Sequence, residues 1–237
     1  MTWSIIARDP KTGQFGIAVA TKFFASGALV PHIAAGIGAV ATQALVNPLY
    51  GINGLKLLRA GQSAAATVAA LLAADAGREH RQVHMLDAQG RIAAHTGNEC
   101  VDWCGQRSGD GFSIAGNMLA GAEVLEETAR VYTKNSALPF ARRLIAAMRA
   151  GEAAGGDKRG KQSAALRIHG EEDWPDLDLR VDDHVEPLGE LDRLEQMSRA
   201  RFVPFTRCLA NHRDPVGIID RSVIEAEIVK ALSEDTA

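Results

Sequence analysis

Two apolar runs separated by a short polar loop in the first twenty residues predict a β-hairpin at the start of the chain. Residues 2–8 form a β-type run that begins with the hydroxyl residue Thr2, and residues 15–20 form a second apolar run. The loop between them carries Pro10 and Gly13, which is typical of a hairpin connection. This hairpin places Thr2 at the end of a strand.

Apolar periodicity predicts strands and helices in turn along the rest of the chain. The predicted elements are two short strands within residues 33–43, helices at 52–60 and 63–74, a hairpin of strands 82–87 and 91–97, a strand at 112–115, helices at about 122–134 and 138–150, strands at 164–168 and 177–181, and helices at about 187–199 and 220–233. Two helix pairs separated by hairpins favour an α+β fold. We therefore expect a four-layer αββα sandwich, in which helices cover the outer faces of two packed sheets.

Composition excludes several classes of protein. The 237 residues are 46% hydrophobic and 23% charged, with a net charge of −3 and a pI near 6.2, which gives no support for nucleic-acid binding. No apolar stretch predicts a membrane span, no secretion signal is expected, and three cysteines fit a reducing compartment. We expect a cytoplasmic protein in which residues 1–200 form the sandwich and 201–237 a helical C-terminal extension of the same domain.

Thr2 is the first candidate for chemistry. If Met1 is removed, Thr2 carries a nucleophilic hydroxyl and a free α-amino group, whose ordinary pKa of about 8 suits it to accept the hydroxyl proton. If Met1 is retained, the nitrogen of Thr2 is a peptide amide and cannot act as a base. The alternative interpretation is an ordinary edge hairpin with a small residue at position 2.

A metal site is a weaker hypothesis. Three histidines and two cysteines lie close together in the sequence, but their spacing is a poor match to known zinc sites, so no metal and no cofactor are expected. These residues are His80, His84, His95, Cys100 and Cys104. Farther along, residues 155–163 combine glycines with Asp157, Arg159 and two lysines, which favours a rigid loop with internal ion pairs.

Six segments carry a resemblance to a known family. They are residues 2–9, 41–44 with 47–51, 93–97, 116–121, 155–166 and 179–184. Together they make the chain similar to the N-terminal-nucleophile (Ntn) hydrolase superfamily and, more closely, to the bacterial family labelled domain of unknown function 1028. The resemblance implies an αββα fold. It also implies cleavage of an amide bond by an N-terminal hydroxyl or thiol residue.

The resemblance also implies roles for individual residues. Thr2 would attack, and Lys22, just past the second strand, would lower the pKa of the nucleophile, although a lone lysine there is also compatible with a surface position. Asn117 would bind the oxyanion from a strand-to-helix junction. Asp157 and Ser163 would position the terminal amine.

A second hydroxyl and four polar residues complete the candidate site. Ser4 shares the sheet face of Thr2 and is an alternative nucleophile, but only after cleavage behind Trp3. The candidates for substrate binding are Gln43, Asn47, His95 and Arg159. Of these, Arg159 is suited to hold a substrate carboxylate.

These observations leave three hypotheses open. The first is an Ntn-type hydrolase that cleaves an amide bond of a small or peptide-like substrate. The second is a catalytically silent scaffold of the same fold that binds a small metabolite or forms an oligomer, and the third is a metal-dependent enzyme. Assembly into a homo-oligomer is an expectation from the resemblance alone.

Overall fold

Ten strands form two antiparallel sheets, and seven α-helices flank them, in residues 2–234, the part of the chain that the computed structural model describes. The strands are β1 (Thr2–Arg8), β2 (Phe15–Thr21), β3 (Pro31–Ala34), β4 (Gly38–Ala44), β5 (Arg81–Asp87), β6 (Ile92–Thr96), β7 (Gly105–Gly109), β8 (Phe112–Asn117), β9 (Ser163–His169) and β10 (Leu177–Val181). The helices are α1 (Pro48–Arg59), α2 (Ala64–Ala73), α3 (Glu123–Lys134), α4 (Phe140–Ala153), α5 (Pro187–Ala200), α6 (Phe202–Thr206) and α7 (Arg221–Glu234).

The strand order places β1 inside the larger sheet. This sheet has six strands in the order β10-β9-β2-β1-β8-β7, and the smaller sheet has four in the order β3-β4-β5-β6. In the larger sheet, Thr2 is opposite Asn117 of β8, and Trp3 is opposite Ala20 of β2. The first residue of β1 is therefore held between two neighbouring strands.

Apolar side chains pack in three layers. Trp3, Ile5 and Ala7 of β1 belong to the core that also contains residues of α3, α4 and α5. Ile6, on the opposite face of β1, packs with residues of both sheets. Residues of β4 and β5 form a third core with α1 and α2. The three cores separate four layers, so the predicted αββα sandwich is confirmed.

The structure corrects the prediction at three places. Helix α1 begins at Pro48, within the segment interpreted as a loop, because Asn47 caps it and Pro48 suits its first turn. Strand β7 was not predicted, since its residues Gln106 to Ser108 are exposed and polar and show no apolar alternation. The short helix α6 was also missed.

The C-terminal residues pack onto the sandwich through a few apolar contacts. Val203 of α6 packs against the core beneath α5, and Cys208, Ile228 and Ala231 are buried. No helix within residues 2–234 has the length and apolar character needed to cross a membrane.

Candidate functional site

Thr2 lies in the wall of a cavity of about 210 Å³ at one end of the larger sheet. Its side chain is 7% exposed, and its hydroxyl donates a hydrogen bond to the hydroxyl of Thr21, with 3.3 Å between the oxygens. The hydroxyls therefore lie side by side at the ends of β1 and β2. We call this space the Thr2 cavity; its lining residues are Thr2, Thr21, Phe23, Ser26, Leu29, Val30, Gln43, Ala44, Leu45 and Val46.

Two loops build the walls of the Thr2 cavity. One is the segment after β2, which is held in place where the N–H of Ala25 donates to the carbonyl of Asp182. The other is the segment after β4, where the N–H of Leu45 donates to the carbonyl of His80. The cavity is thus formed where the two sheets end.

Unfavourable backbone conformations concentrate around this end of the sheets. Within residues 2–234, the non-glycine residues with positive φ are Ala25 at 52°, Ala44 at 69° and Met118 at 52°. Ala44 lines the Thr2 cavity, Ala25 precedes the lining residue Ser26, and Met118 follows Asn117, the strand partner of Thr2. Strained backbone of this kind persists where surrounding contacts hold it, and it is common at functional sites.

A buried amide network holds the main chain of Thr2. The Nε2 of Gln43 lies 3.3 Å from the carbonyl oxygen of Thr2 and 2.8 Å from Oε1 of Gln82. The Nδ2 of Asn117 lies 3.4 Å from the same carbonyl and 3.0 Å from the same Oε1. Gln82 is fixed in turn because its Nε2 donates to the carbonyl of Gly116 at 2.9 Å. The predicted oxyanion donor Asn117 therefore holds the first strand in place.

Ser4, the alternative nucleophile, is fully buried and lies outside the lining of the Thr2 cavity. Its hydroxyl is 2.7 Å from Oε1 of Gln43 and 2.9 Å from Nε2 of His84, whose Nδ1 is 3.0 Å from the hydroxyl of Ser113. Because the amide nitrogen of Gln43 faces carbonyl oxygens, its Oε1 faces Ser4 and accepts the serine hydrogen.

This orientation of the Gln43 amide determines which ring nitrogen of His84 carries the hydrogen. Since Ser4 donates to Gln43, Nε2 of His84 carries a hydrogen and donates to Ser4, and Nδ1 accepts from Ser113. Burial lowers the pKa of His84 to about 3, so the ring is neutral at pH 7. His84 therefore cannot act as a base toward Ser4 in this arrangement.

The Asp157 loop meets the larger sheet next to Thr21. The Asp157 carboxylate, 1% exposed, accepts the main-chain N–H of Lys22 at 2.7 Å and the guanidinium of Arg159 at 3.2 Å. The predicted internal Asp–Arg pair is thus present. The exposed ammonium of Lys22 donates to the carbonyl of Lys161 at 3.1 Å. Lys22 thus contacts this loop through both its main chain and its side chain.

The remaining predicted residues make structural contacts. Ser163 donates its hydroxyl to the hydroxyl of Ser26, a lining residue, at 2.8 Å. Asn47 caps α1 and donates to Asp75. Burial raises the pKa of Asp75, but hydrogen bonds from Tyr50 and other neighbours outweigh it and lower the pKa to about 2. Half-buried His95 contacts the carbonyl oxygen of Arg78, 3.0 Å away.

The five histidines and cysteines of the metal hypothesis are divided between different environments. His84 lies between the sheets, whereas Cys104 contacts the carbonyl of Cys100 in the loop before β7. Burial raises the pKa of Cys100 to about 11, so this thiol is protonated at pH 7. Within residues 2–234, no three His, Cys, Asp or Glu side chains group closely enough to hold a metal ion.

Several important side chains were not predicted. Gln82, Ser113 and Thr21 are buried polar residues, and the apolar cavity walls come from residues 23–30 and 44–46. The sequence contained one indication of these residues: they are polar residues at alternate positions of strands that are otherwise apolar. Such residues must find buried partners when both faces of the sheet are covered.

Comparison with known proteins found a family and solved structures that this chain matches. The family of unknown function DUF1028 matches residues 2–191. A crystal structure of a Silicibacter pomeroyi protein of that family is 33% identical in sequence, with a TM-score of 0.86, and the match covers 93% of this chain and 96% of that one. No protein with a curated description matches the chain.

Two further solved structures are more distant. Anbu, described as an ancestral beta-subunit, from Yersinia bercovieri has 10% identity and a TM-score of 0.41 over 83% of this chain and 94% of that one. A mutant of Anbu from Hyphomicrobium sp. strain MC1 has 11% identity and a TM-score of 0.43 over 83% of this chain and 97% of that one.

Proposed function

Because the chain belongs to the DUF1028 family and Thr2 lines a cavity at the start of a central strand, we propose that this protein is an N-terminal-nucleophile hydrolase. Thr2 is the nucleophile, and the substrate is a small or peptide-like amide. The observation that carries the proposal is the position of the Thr2 side chain. It is the only residue of β1 among those that line the cavity.

Thr2 and water supply every atom that the reaction transfers to the substrate. Removal of Met1 frees the α-amino group, which takes the hydroxyl proton as the oxygen of Thr2 bonds to the substrate carbonyl carbon. The ammonium gives that proton to the leaving nitrogen as the C–N bond breaks, which leaves an acyl ester on Thr2. Water then attacks the ester, loses a proton to the amine and releases the acid, and Thr2 recovers its hydroxyl proton from the ammonium.

The neighbouring residues support this chemistry by holding Thr2 in position. Gln43 and Asn117 both donate to the Thr2 carbonyl, which fixes the main chain that carries the nucleophile. Asp157 holds the end of β2 through the N–H of Lys22, next to Thr21. We therefore assign Asn117, Asp157 and Lys22 to positioning, and Gln43, which lines the cavity, to both positioning and substrate contact.

The experiment begins with protein purified through a C-terminal tag. Its intact mass is measured, and it is assayed against a panel of amides beside Thr2→Ala, Thr2→Ser and the control Thr133→Ala, which changes an exposed position of α3. We expect a mass lacking Met1, and a loss of turnover of at least about 1,000-fold in Thr2→Ala because the nucleophile is gone. Thr2→Ser and Thr133→Ala should retain turnover.

Four outcomes would contradict this assignment. Turnover by Thr2→Ala, or by protein whose mass still includes Met1, would exclude Thr2 as an N-terminal nucleophile. A mass that lacks the first three residues would instead support Ser4. Binding of amides without turnover, in protein that has lost Met1, would support the scaffold hypothesis.

A further inference from the structure

The walls of the Thr2 cavity have a uniform chemical character. Within residues 2–234, the lining contains no charged side chain: its polar residues are Thr2, Thr21, Ser26 and Gln43. The other lining residues are Phe23, Leu29, Val30, Ala44, Leu45 and Val46. The lining therefore combines Thr2 and three other polar residues with six apolar ones.

Two large apolar side chains at this cavity are exposed. Phe23 is 58% exposed and Leu45 is 62% exposed, although both line it. They come from different loops, Phe23 from the loop after β2 and Leu45 from the loop after β4. Exposed apolar side chains grouped in a concave site are typical of ligand-binding surfaces.

The size of the cavity limits what it accepts. Its volume is about 210 Å³, and an apolar protein cavity of about 150 Å³ accommodates benzene. A phenyl or benzyl group, or an aliphatic chain of comparable volume, therefore fits. Apart from the α-amino group of Thr2, which must be neutral to accept the hydroxyl proton, the described walls offer no partner of opposite charge to a carboxylate or an ammonium that loses its hydration there.

We propose that the Thr2 cavity binds an uncharged apolar acyl group about the size of a benzyl group, and that Phe23 and Leu45 determine this preference. The proposal rests on the proposed function and specifies its substrate class. The acyl part is assigned to the cavity because it stays bonded to Thr2 after the amine leaves, whereas the amine must depart before water attacks. The substrates are accordingly amides of phenylacetic-type or medium-length aliphatic acids.

Binding to Thr2→Ala tests the preference separately from catalysis. Ligand-detected NMR would measure the affinity of phenylacetamide, hexanamide and the charged amide succinamate for this variant. We expect both apolar amides to bind at least about tenfold more tightly than succinamate. Adding Leu45→Glu should weaken phenylacetamide binding at least about tenfold, while Leu49→Glu, at a similarly exposed position (57%) outside the lining, should not.

The outcomes separate this proposal from the proposed function. Apolar amides that bind with this preference, but are not hydrolysed by protein with a free Thr2 amine, would retain the cavity assignment and exclude hydrolysis. Hydrolysis of succinamate as fast as phenylacetamide would retain the hydrolase and overturn the preference. Equal effects of Leu45→Glu and Leu49→Glu, or no apolar binding by folded Thr2→Ala, would also overturn it.

Discussion

Gln82 links more partners than any other side chain of the amide network. Its Nε2 donates to Thr96 at 2.9 Å, to the carbonyl of Gly105 at 3.1 Å and to that of Gly116 at 2.9 Å. Its Oε1 accepts from Gln43 and Asn117. The residue is fully buried, so its buried partners Gln43, Asn117 and Gly116 depend on it rather than on water.

Replacing Gln82 by leucine should destabilise the protein strongly. In Gln82→Leu, buried carbonyl and amide groups lose their partners, and we expect the free energy of unfolding to fall by about 3 to 5 kcal/mol. Urea denaturation measures this loss. The exposed control Gln62→Leu should change stability by less than about 0.5 kcal/mol, and a similar value for both variants would contradict the role of the network.

His84 should make stability depend on pH. Its pKa of about 3 in the folded protein lies below the ordinary value of 6.5, so the unfolded chain binds more protons between these values. Its contribution is therefore complete above about pH 6.5 and is lost as the pH falls toward 3. One such group lowers the free energy of unfolding by about 1 kcal/mol between pH 6 and pH 5.

The variant His84→Asn isolates this contribution. It should be less stable than the wild type at pH 7, because a buried hydrogen-bond bridge is altered, but should lose about 1 kcal/mol less between pH 6 and pH 5. Urea denaturation at the two pH values measures both effects. His32 and His169, whose pKa values are also lowered by burial, are present in both proteins and cancel. Equal losses would exclude His84 as the titrating group.

Single residues of this site could be predicted only in part. Thr2 stood out because its position in the chain combines two reactive groups, and Asn117 because it ends a strand. The partners of Gln43 could not be predicted, since Gln82 and Ala115 lie 39 and 72 positions away. Such contacts depend on how the two sheets are packed, which local sequence does not specify.

At the scale of elements, a strand's sequence pattern predicts its structure best where one face of the strand is exposed, and less well where both faces are buried. Strand β10 was predicted at its observed bounds, 177–181, because it alternates between buried and exposed residues. In β5, Val83 and Met85 face the helices, while Gln82 and His84 face the other sheet. Alternation alone would place polar residues in solvent, but the second sheet covers them.

The loop after β4 provides a test of backbone strain. Because Ala44 has a φ of 69°, Ala44→Gly should raise the free energy of unfolding by about 0.5 to 1 kcal/mol. Calorimetry should show a melting temperature higher by about 1 to 4 °C. The control Ala41→Gly, on the extended and buried part of β4, should lower it. A fall in both variants would show that the methyl group of Ala44 matters more than its conformation.

At the scale of the molecule, the residues that follow α6 are joined to the sandwich by few contacts. The family match ends at residue 191, and beyond α6 the ion pair Arg213–Glu171 and a hydrogen bond between His212 and Glu172 connect the chain to the loop after β9. Exposed ion pairs of this kind add little stability. The division at residue 200, assembly into a homo-oligomer and cytoplasmic location stay predictions.

Deleting residues 210–237 tests the C-terminal division. Buried Cys208 lies beside Gly217 and its carbonyl accepts the N–H of Ile218, so we expect the deletion to expose this thiol while the sandwich still unfolds cooperatively. Its reaction with a thiol reagent should become at least about tenfold faster. Cys208→Ser in the shortened chain identifies the signal. Loss of cooperative unfolding would show that these residues are required for the sandwich.

The position of β1 has a consequence for the timing of biosynthesis. Thr2 pairs with Asn117, so its strand cannot be enclosed until the ribosome has added more than a hundred further residues. At about 5 to 20 residues per second, that interval lasts roughly 6 to 23 s. An enzyme that removes Met1 from the nascent polypeptide therefore has this interval in which β1 is not yet paired with β8.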